Sequence, residues 1–592
     1  VGNGSIRGLG GQPGVGAPPV SINITLDDDA AQGEKNNILL WSADSPSLYS
    51  AVVTLQESQA SLPSQSSEMI VAFGIRTLQF TATKGFQING ITTKLRGGCV
   101  HHANGPLGAR TYDRSERRRV EMLKKNGYNA IRTSHNPVSP AFLQACDELG
   151  MYVMDEAFDC WNIGKNPNDY SMYFHEWWRR DLEAMVKRDW NHPSIIMWSI
   201  GNEIPGRDTA NGAHLSHTLA NFVRTLDDER AVTSAYPFVL NNADDYLAAL
   251  DVSGYNYSPD RYVSDHNRMP ERIIVGTESF PTASLQVWDL VWTSDWVIGD
   301  FIWTALDYIG EAAIGFSTQD GDVDQLIAQE NSGARSKPYG FHLSYCGDFD
   351  IVGGRKGQGI YRNVLWNVTD IEMVVHRPLA KNVGPVGQLG ETVGLWGWPD
   401  ELESWTWHGF ENETLEVRVF TWQCTSVIVE LNGVEIDGSP FEVSYGTELM
   451  TNFSVQYMPG ELHAFCANNN SISKKLVTTG APAALQVSVD RDHVKNDPNE
   501  LIYVEVIVLD KEKNHIPEGR VEVTFEVSGA TGTLLAVGSG DPTDLTSFQS
   551  STWKTFRGRV VGIVQPTSVG EIVVKVSSLN GVLSKEVKIE VV

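Results

Sequence analysis

Between residue 84 and residue 303 the chain alternates short apolar runs with amphipathic ones. Runs at 94–100, 129–133, 151–155, 195–200, 231–234, 252–257, 272–277 and 299–303 are rich in β-branched and aromatic residues, the pattern of strands covered on both faces. Stretches at 115–126, 140–149, 175–190, 214–226, 245–250, 263–268 and 285–294 place apolar residues three or four apart, which is one face of a helix. With a last segment after 303, this rhythm of eight strand–helix units predicts a (β/α)₈ barrel. A doubly wound open sheet needs fewer units and usually a glycine-rich phosphate loop, which the sequence lacks.

Either side of this region the pattern changes. Gly8 to Pro19 is too rich in glycine and proline for helix or central strand. Runs at 37–41, 50–56 and 69–76 read as strands of a small sandwich, left partial or completed by something upstream. After residue 365 helical periodicity stops. Strand-like runs at 415–421, 426–431, 461–466 and 485–489, then 502–509, 521–527, 559–564 and 571–576, predict two β-sandwiches in tandem. The expected layout is a partial Ig-like sandwich over 1–82, the barrel over 83–365, a sandwich over 366–480 and an Ig-like sandwich over 481–592.

Composition narrows the partners. The 592 residues carry 46 Lys and Arg against 73 Asp and Glu, a net charge of −27. Without a basic cluster, so acidic a chain is unsuited to nucleic acid or an anionic membrane. No apolar run approaches the ~20 residues of a membrane span. The six cysteines are scattered with no CxxC pair, which argues against zinc. The sequence opens at Val1 with no signal segment and reads as a processed or truncated piece. Its seven N-x-S/T sequons are close to chance and lean only weakly to a secreted over a cytoplasmic protein. A homo-oligomer, or association with a separate N-terminal polypeptide, is open to it.

In a barrel of this kind reactive groups sit at the C-terminal strand ends. Those positions hold His101 and His102, then Arg132, Ser134, His135 and Asn136, then Asp155 and Glu156, then Asn202 and Glu203, then Asn256 and Tyr257, then Glu278 and Trp303. Carboxylates, amides, imidazoles and a flat ring on one face suit a hydroxylated ring as ligand. Glu203 and Glu278 lie 75 residues and three strands apart, across the mouth. Glycosidic bond cleavage needs one carboxyl to protonate the leaving oxygen and a second to attack the anomeric carbon.

Four ordered segments then carry a resemblance: Arg96-Gly-Gly-Cys-Val-His101, Ala130-Ile-Arg-Thr-Ser-His135-Asn-Pro, Trp198-Ser-Ile-Gly-Asn-Glu203 and Gly276-Thr-Glu278. Together with Phe73-Gly-Ile-Arg76 ahead of them, they resemble the signatures of glycoside hydrolase family 2. The resemblance implies a retaining exo-β-glycosidase with Glu203 as acid/base and Glu278 as nucleophile. It also implies that Asn202 binds the sugar 2-hydroxyl and that His101, Arg132 and His135 contribute to sugar binding. Tyr257, with Tyr255 as its competitor, would hydrogen-bond the nucleophile, and Trp303 would lie beneath the sugar. Glu203 must then carry a proton in the resting enzyme while Glu278 does not.

Departures from the family sharpen the expectation. Cys160 and Asn162 stand where related galactosidases hold magnesium, so no metal and no cofactor are expected. The Asn-x-Lys that grips a glucuronate carboxylate is missing; Lys356 could meet an acid, though a solvated loop lysine fits it better. The family's N-terminal sugar-binding domain has no counterpart in this sequence. Asp300-Phe-Ile-Trp-Thr-Ala-Leu-Asp-Tyr-Ile-Gly-Glu311 is similar to a branch of β-galactosidases with tandem C-terminal sandwiches. Terminal β-galactose is therefore the expected substrate, with β-glucuronide and β-galactofuranoside as alternatives. A non-catalytic carbohydrate-binding protein is the alternative from another class. Trp396, Trp398, Trp405 and Trp407 read as sandwich core, with a sugar platform as the other reading.

Overall fold

A computed structural model describes residues 38–56, 66–239, 243–319, 326–327, 337–338, 340–378, 391–444, 449–578 and 581–592. Eight parallel strands close into a barrel in chain order: β1 (Leu95–Val100), β2 (Ala130–Thr133), β3 (Tyr152–Glu156), β4 (Ile195–Asn202), β5 (Ala231–Pro237), β6 (Ser253–Asn256), β7 (Ile274–Ser279) and β8 (Val297–Ile302). The helices between them are α1 (Asp113–Lys125), α2 (Pro140–Leu149), α3 (Ser171–Asp189), α4 (Ala210–Leu226), α5 (Asp244–Leu247), α6 (Tyr262–Arg268) and α7 (Ser284–Thr293), and α8 (Gly357–Leu365) closes the set. Every residue of β4 is buried, as a strand packed on both faces requires. Inside, Phe301 fills the space beside Gly97, where a Cβ would stand 2.3 Å from its ring.

Local signals agree with the helix boundaries. Ser139 caps α2 by accepting from the Phe142 amide at 3.2 Å, Pro140 opens it, and Gly150 ends it at φ 75°. The last unit is the exception, because more than 50 residues separate β8 from α8. The chain uses that excursion to build part of the barrel rim.

Of the segment expected as an upstream sandwich, the described part is an antiparallel pair, Tyr49–Gln56 with Ser66–Phe73, and a three-stranded sheet at Leu78–Thr81, Gly85–Ile88 and Ile91–Thr92. The pair leaves Val52, Val53, Met69 and Ile70 exposed. The run expected as a strand to residue 41 is not one over 38–41. There Trp41 is instead buried, edge-on to Tyr152, with its indole donating to the Asp147 carbonyl at 2.8 Å. The Gly8–Pro19 stretch, and the sequons at Asn3 and Asn23, lie outside the described residues.

Downstream, two pairs of sheets form the sandwiches, antiparallel except where His493–Val494 runs parallel to Ser584–Val591. Strands Ser426–Leu431 and Glu461–Cys466 alternate half-buried and buried residues, the signature of a sheet with one face on a core. Cys424 and Cys466 are joined as a disulfide, and the other four cysteines are free and buried. No described helix is long and apolar enough to cross a membrane.

Candidate active site

The barrel's C-terminal strand ends gather the expected residues around one guanidinium. Arg132 on β2 is fully buried and donates to both oxygens of Glu156 on β3 at 2.8–3.0 Å. It also reaches Glu278 Oε1 on β7 at 2.7 Å, Asn202 Oδ1 on β4 at 2.8 Å and the Thr277 carbonyl at 3.1 Å. Arg132 thus has its donors engaged by protein and no surface exposed, and it ties Glu156, Glu278 and Asn202 together. Glu156 receives further hydrogen bonds from Ser199 Oγ and His135 Nδ1, both at 2.7 Å. Burial alone would raise the Glu156 carboxyl, but Arg132, His135 and Ser199 outweigh it and bring it down to about 2.

Glu278 is held on both oxygens. Tyr257 donates its hydroxyl to Oε2 at 2.5 Å, opposite the Arg132 bond to Oε1. Burial pushes the Glu278 carboxyl above its ordinary range; Arg132 opposes this and Glu203 adds to it. Burial, Glu278 and Glu203 also push the Tyr257 hydroxyl far up, so it stays a donor. Tyr255, the competing tyrosine, is buried and donates to Asp265 at 2.9 Å instead.

Glu203 follows β4 with φ 45°, and Tyr257 follows β6 with φ 55°. Left-handed backbone in non-glycine residues costs energy and collects where surrounding structure must aim a side chain. Asn256 Nδ2 donates to Glu203 Oε1 at 2.9 Å, while Thr277 Oγ1 donates to Asn256 Oδ1 at 2.6 Å. Asn256, placed at a strand end by the sequence but given no role there, is the partner of Glu203; its sequon is buried inside the barrel and cannot carry a glycan in the folded chain. Glu156 was likewise placed at a strand end without a role. Its signal was present, since neighbours on a strand face opposite ways and only one of Asp155 and Glu156 can point to Arg132.

The remaining residues line the mouth. Asn202 Nδ2 donates to Asp159 Oδ1 at 2.9 Å, and Lys165 pairs with the same oxygen at 2.6 Å. His101 is stacked on Tyr308 with ring centres 4.0 Å apart, and its Nε2 is buried without a partner among the described residues. Burial, then His135 and His102, lower His101 well below the usual histidine range, so its ring is neutral and can accept or donate. Trp303 is only 3% exposed, with the His135 ring parallel at 5.1 Å, which leaves a narrow surface for a sugar.

Two further expectations resolve differently. Trp398, Trp405 and Trp407 are buried, but Trp396 is half-buried and reaches from the sandwich side to stand edge-on to Tyr257 at 5.9 Å and Phe280 at 5.7 Å. Lys356 is not a solvated loop lysine. It is buried, with Nζ 2.9 Å from both Asp307 oxygens and 2.8 Å from the Tyr345 carbonyl. Burial raises Asp307 to about 7 against the pull of Lys356.

Comparison with known proteins gives the family. Residues 81–270 match the model for "Glycosyl hydrolases family 2, TIM barrel domain", and 485–588 match "Glycoside hydrolase family 2 C-terminal domain 5". A glycosyl hydrolase family 2 member from Bacteroides cellulosilyticus is 36% identical, superposes with a TM-score of 0.82, and is matched over 93% of this chain and 69% of its own. The chain belongs to glycoside hydrolase family 2. A Bacteroides ovatus β-galactosidase is 27% identical over 89% of this chain, and a putative β-glucuronidase of Formosa agariphila is 37% identical over 37% of it. The chain spans 64% of the length of the first and 19% of the second.

Proposed function

We propose that the protein is a retaining exo-β-glycosidase that releases terminal β-linked galactose by double displacement. The observation that carries this reading is the Glu278 carboxylate, gripped by Arg132 on one oxygen and Tyr257 on the other and facing a second carboxyl, Glu203. Two donors keep the attacking group anionic and aimed, while Glu203, with one amide donor, is free to exchange a proton. Glu203 protonates the leaving oxygen as Glu278 attacks the anomeric carbon. In the ester so formed Glu278 has lost its charge, which makes proton loss from Glu203 easier. Glu203 then takes a proton from water as that water cleaves the ester. Asn202, His101, His135 and a rim of Trp303 meet the sugar hydroxyls and ring.

Galactose is favoured over glucuronic acid because a sugar carboxylate needs a cation to receive it. Lys356 is held by Asp307 and Lys165 by Asp159. The B. ovatus relative, matched over most of this chain, is named a β-galactosidase. β-Glucuronide remains the second reading on the strength of the F. agariphila relative. The Cys424–Cys466 disulfide supports an oxidising, extracytoplasmic location.

Initial rates on aryl β-galactopyranoside, β-galactofuranoside, β-glucuronide, β-mannoside and β-glucoside test the proposal, with Glu278→Gln alongside. The galactopyranoside should be hydrolysed fastest, with anomeric retention by NMR and loss of activity in the variant. Preference for another glycone overturns the substrate, and an inverted product overturns the mechanism.

A further inference from the structure

A groove of about 380 Å³ opens at the end of the barrel opposite the catalytic mouth. Arg96 at the start of β1, Trp288 and Trp292 on α7, and Trp366 and Asn367 after α8 line it, and Trp422 and Gln423 of the first sandwich close it. Strands run from this end towards the mouth and helices return to it, so the groove and Glu278 are separated by the barrel's length.

Four tryptophans meet here at steep angles. Trp288 contacts Trp292 at 5.7 Å and Trp366 at 5.5 Å, and Trp292 contacts Trp422 at 5.2 Å with planes at 70°. Trp292 is 41% exposed, the rest progressively buried beneath it. The walls are not purely apolar. The buried indole nitrogens of Trp288 and Trp366 and the Arg96 Nε have no hydrogen-bond partner among the described residues, on side chains of which Trp288 is 1% and Trp366 6% exposed. These three atoms are shut off from solvent, so the donors the groove can offer a ligand are the outer nitrogens of the half-buried Arg96 guanidinium and the amides at its lip. At the lip, exposed Gln423 donates to Asn367 Oδ1 at 3.1 Å, and the two amides retain further donors and acceptors.

From this we infer a second carbohydrate site: the groove binds one or two sugar residues of a β-linked saccharide chain, stacked on Trp292 with hydroxyls towards the Arg96 guanidinium and the Asn367 and Gln423 amides. A sugar offers an apolar C–H face and a rim of hydroxyls, and the groove presents rings for the one and donors for the other. The volume falls in the range of small-ligand pockets. Among the described residues Arg96 is the one charged residue lining it, with no carboxylate there, which suits a neutral saccharide. Such a site would anchor a polymer while a chain end is cleaved at the other pole. The inference rests on the protein being carbohydrate-active but not on which glycone it releases.

The test uses the full chain carrying Glu278→Gln, so that saccharides persist, and calorimetric titration with β-1,4-linked hexasaccharides of galactose, glucose, mannose and xylose. At least one should bind, Trp292→Ala should weaken that binding about tenfold, and Trp292→Phe should restore most of it. In the otherwise wild-type chain, Trp292→Ala should leave aryl-glycoside hydrolysis unchanged, and a wild-type chain inactive on aryl glycosides would count against the glycosidase reading alone. Binding by none of the four saccharides, or equal affinity in Trp292→Ala, overturns the second site. So does a wild-type dimer in sedimentation that Trp292→Ala converts to monomer, since the groove would then be a protein interface.

Discussion

Tyr257, just past the end of β6, and Glu278 on the neighbouring β7 are joined twice: the tyrosine hydroxyl donates to Glu278 Oε2 at 2.5 Å, and the Tyr257 amide donates to the Glu278 carbonyl at 2.8 Å. The second bond fixes the backbone that aims the first. Because the hydroxyl donates to the ionised carboxylate, it favours the charged form. Tyr257→Phe should therefore raise the Glu278 pKa further and move the acidic limb of kcat/KM to higher pH. A charge-assisted bond contributes about 1.5–3 kcal/mol, so kcat at the optimum should fall roughly 10- to 100-fold. A pH–rate profile that keeps its acidic limb would remove Tyr257 from this role.

Glu203 answers to a different experiment. In Glu203→Ala an aryl glycoside with a strongly acidic phenol needs no proton from the enzyme, whereas an alkyl glycoside does. The alkyl substrate should lose about 10²- to 10⁴-fold in kcat/KM and the activated aryl substrate far less. Added azide should accelerate turnover and yield a β-glycosyl azide, identified by NMR. Equal losses on both substrates would place the acid elsewhere.

The Arg132–Glu156 pair makes a prediction about stability. Glu156 is depressed from 4.5 to about 2, so its contribution is complete above the unfolded value and is lost as pH falls from 4.5 towards 2. Glu156→Gln should destabilise the barrel by about 3–5 kcal/mol at neutral pH, the cost of leaving one partner of a buried pair. The gap from wild type should narrow over that acidic interval. Urea denaturation at several pH values reads both effects, and a gap that does not change with pH would mean Glu156 titrates normally.

Lys356→Met has the opposite pH signature. Asp307 is raised to about 7, so the stability this protonated carboxyl contributes is complete below 3.8 and is lost progressively as pH climbs from 3.8 towards 7. Without Lys356 its ionisation would cost still more, so the deficit of the variant should be small near pH 5 and grow to about 3–5 kcal/mol above pH 7. Thermal unfolding across that range is the measurement.

Much of the barrel was legible because its signal is periodic: buried strands give continuous apolar runs, and helices give one apolar face. Glu203 and Glu278 were legible because strand ends are where such a barrel places chemistry. What escaped has one cause, which is that it depends on side chains far apart in sequence. Nothing local marks Asn256 as the partner of Glu203, since an asparagine before a tyrosine and a serine reads equally well as a sequon. Lys356 sits in a glycine-rich stretch that looks like open loop, and Asp307, which buries it, is 49 residues away. Arg132 was found, but whether a guanidinium faces substrate or carboxylates is decided by neighbours from three other strands. Trp396 was one of four tryptophans of similar setting, and contact with Tyr257 alone distinguishes it.

Trp396 also bears on how such enzymes can be taken apart. It follows the barrel in sequence, yet its ring covers the flank of Tyr257 and Phe280. A barrel excised after α8 would keep both glutamates and every strand, and would still open the flank of Tyr257 to water. The unit that recombination or engineering can exchange between such chains is thus larger than the catalytic barrel, and shuffling at residue 365 should yield hybrids that fold but turn over poorly.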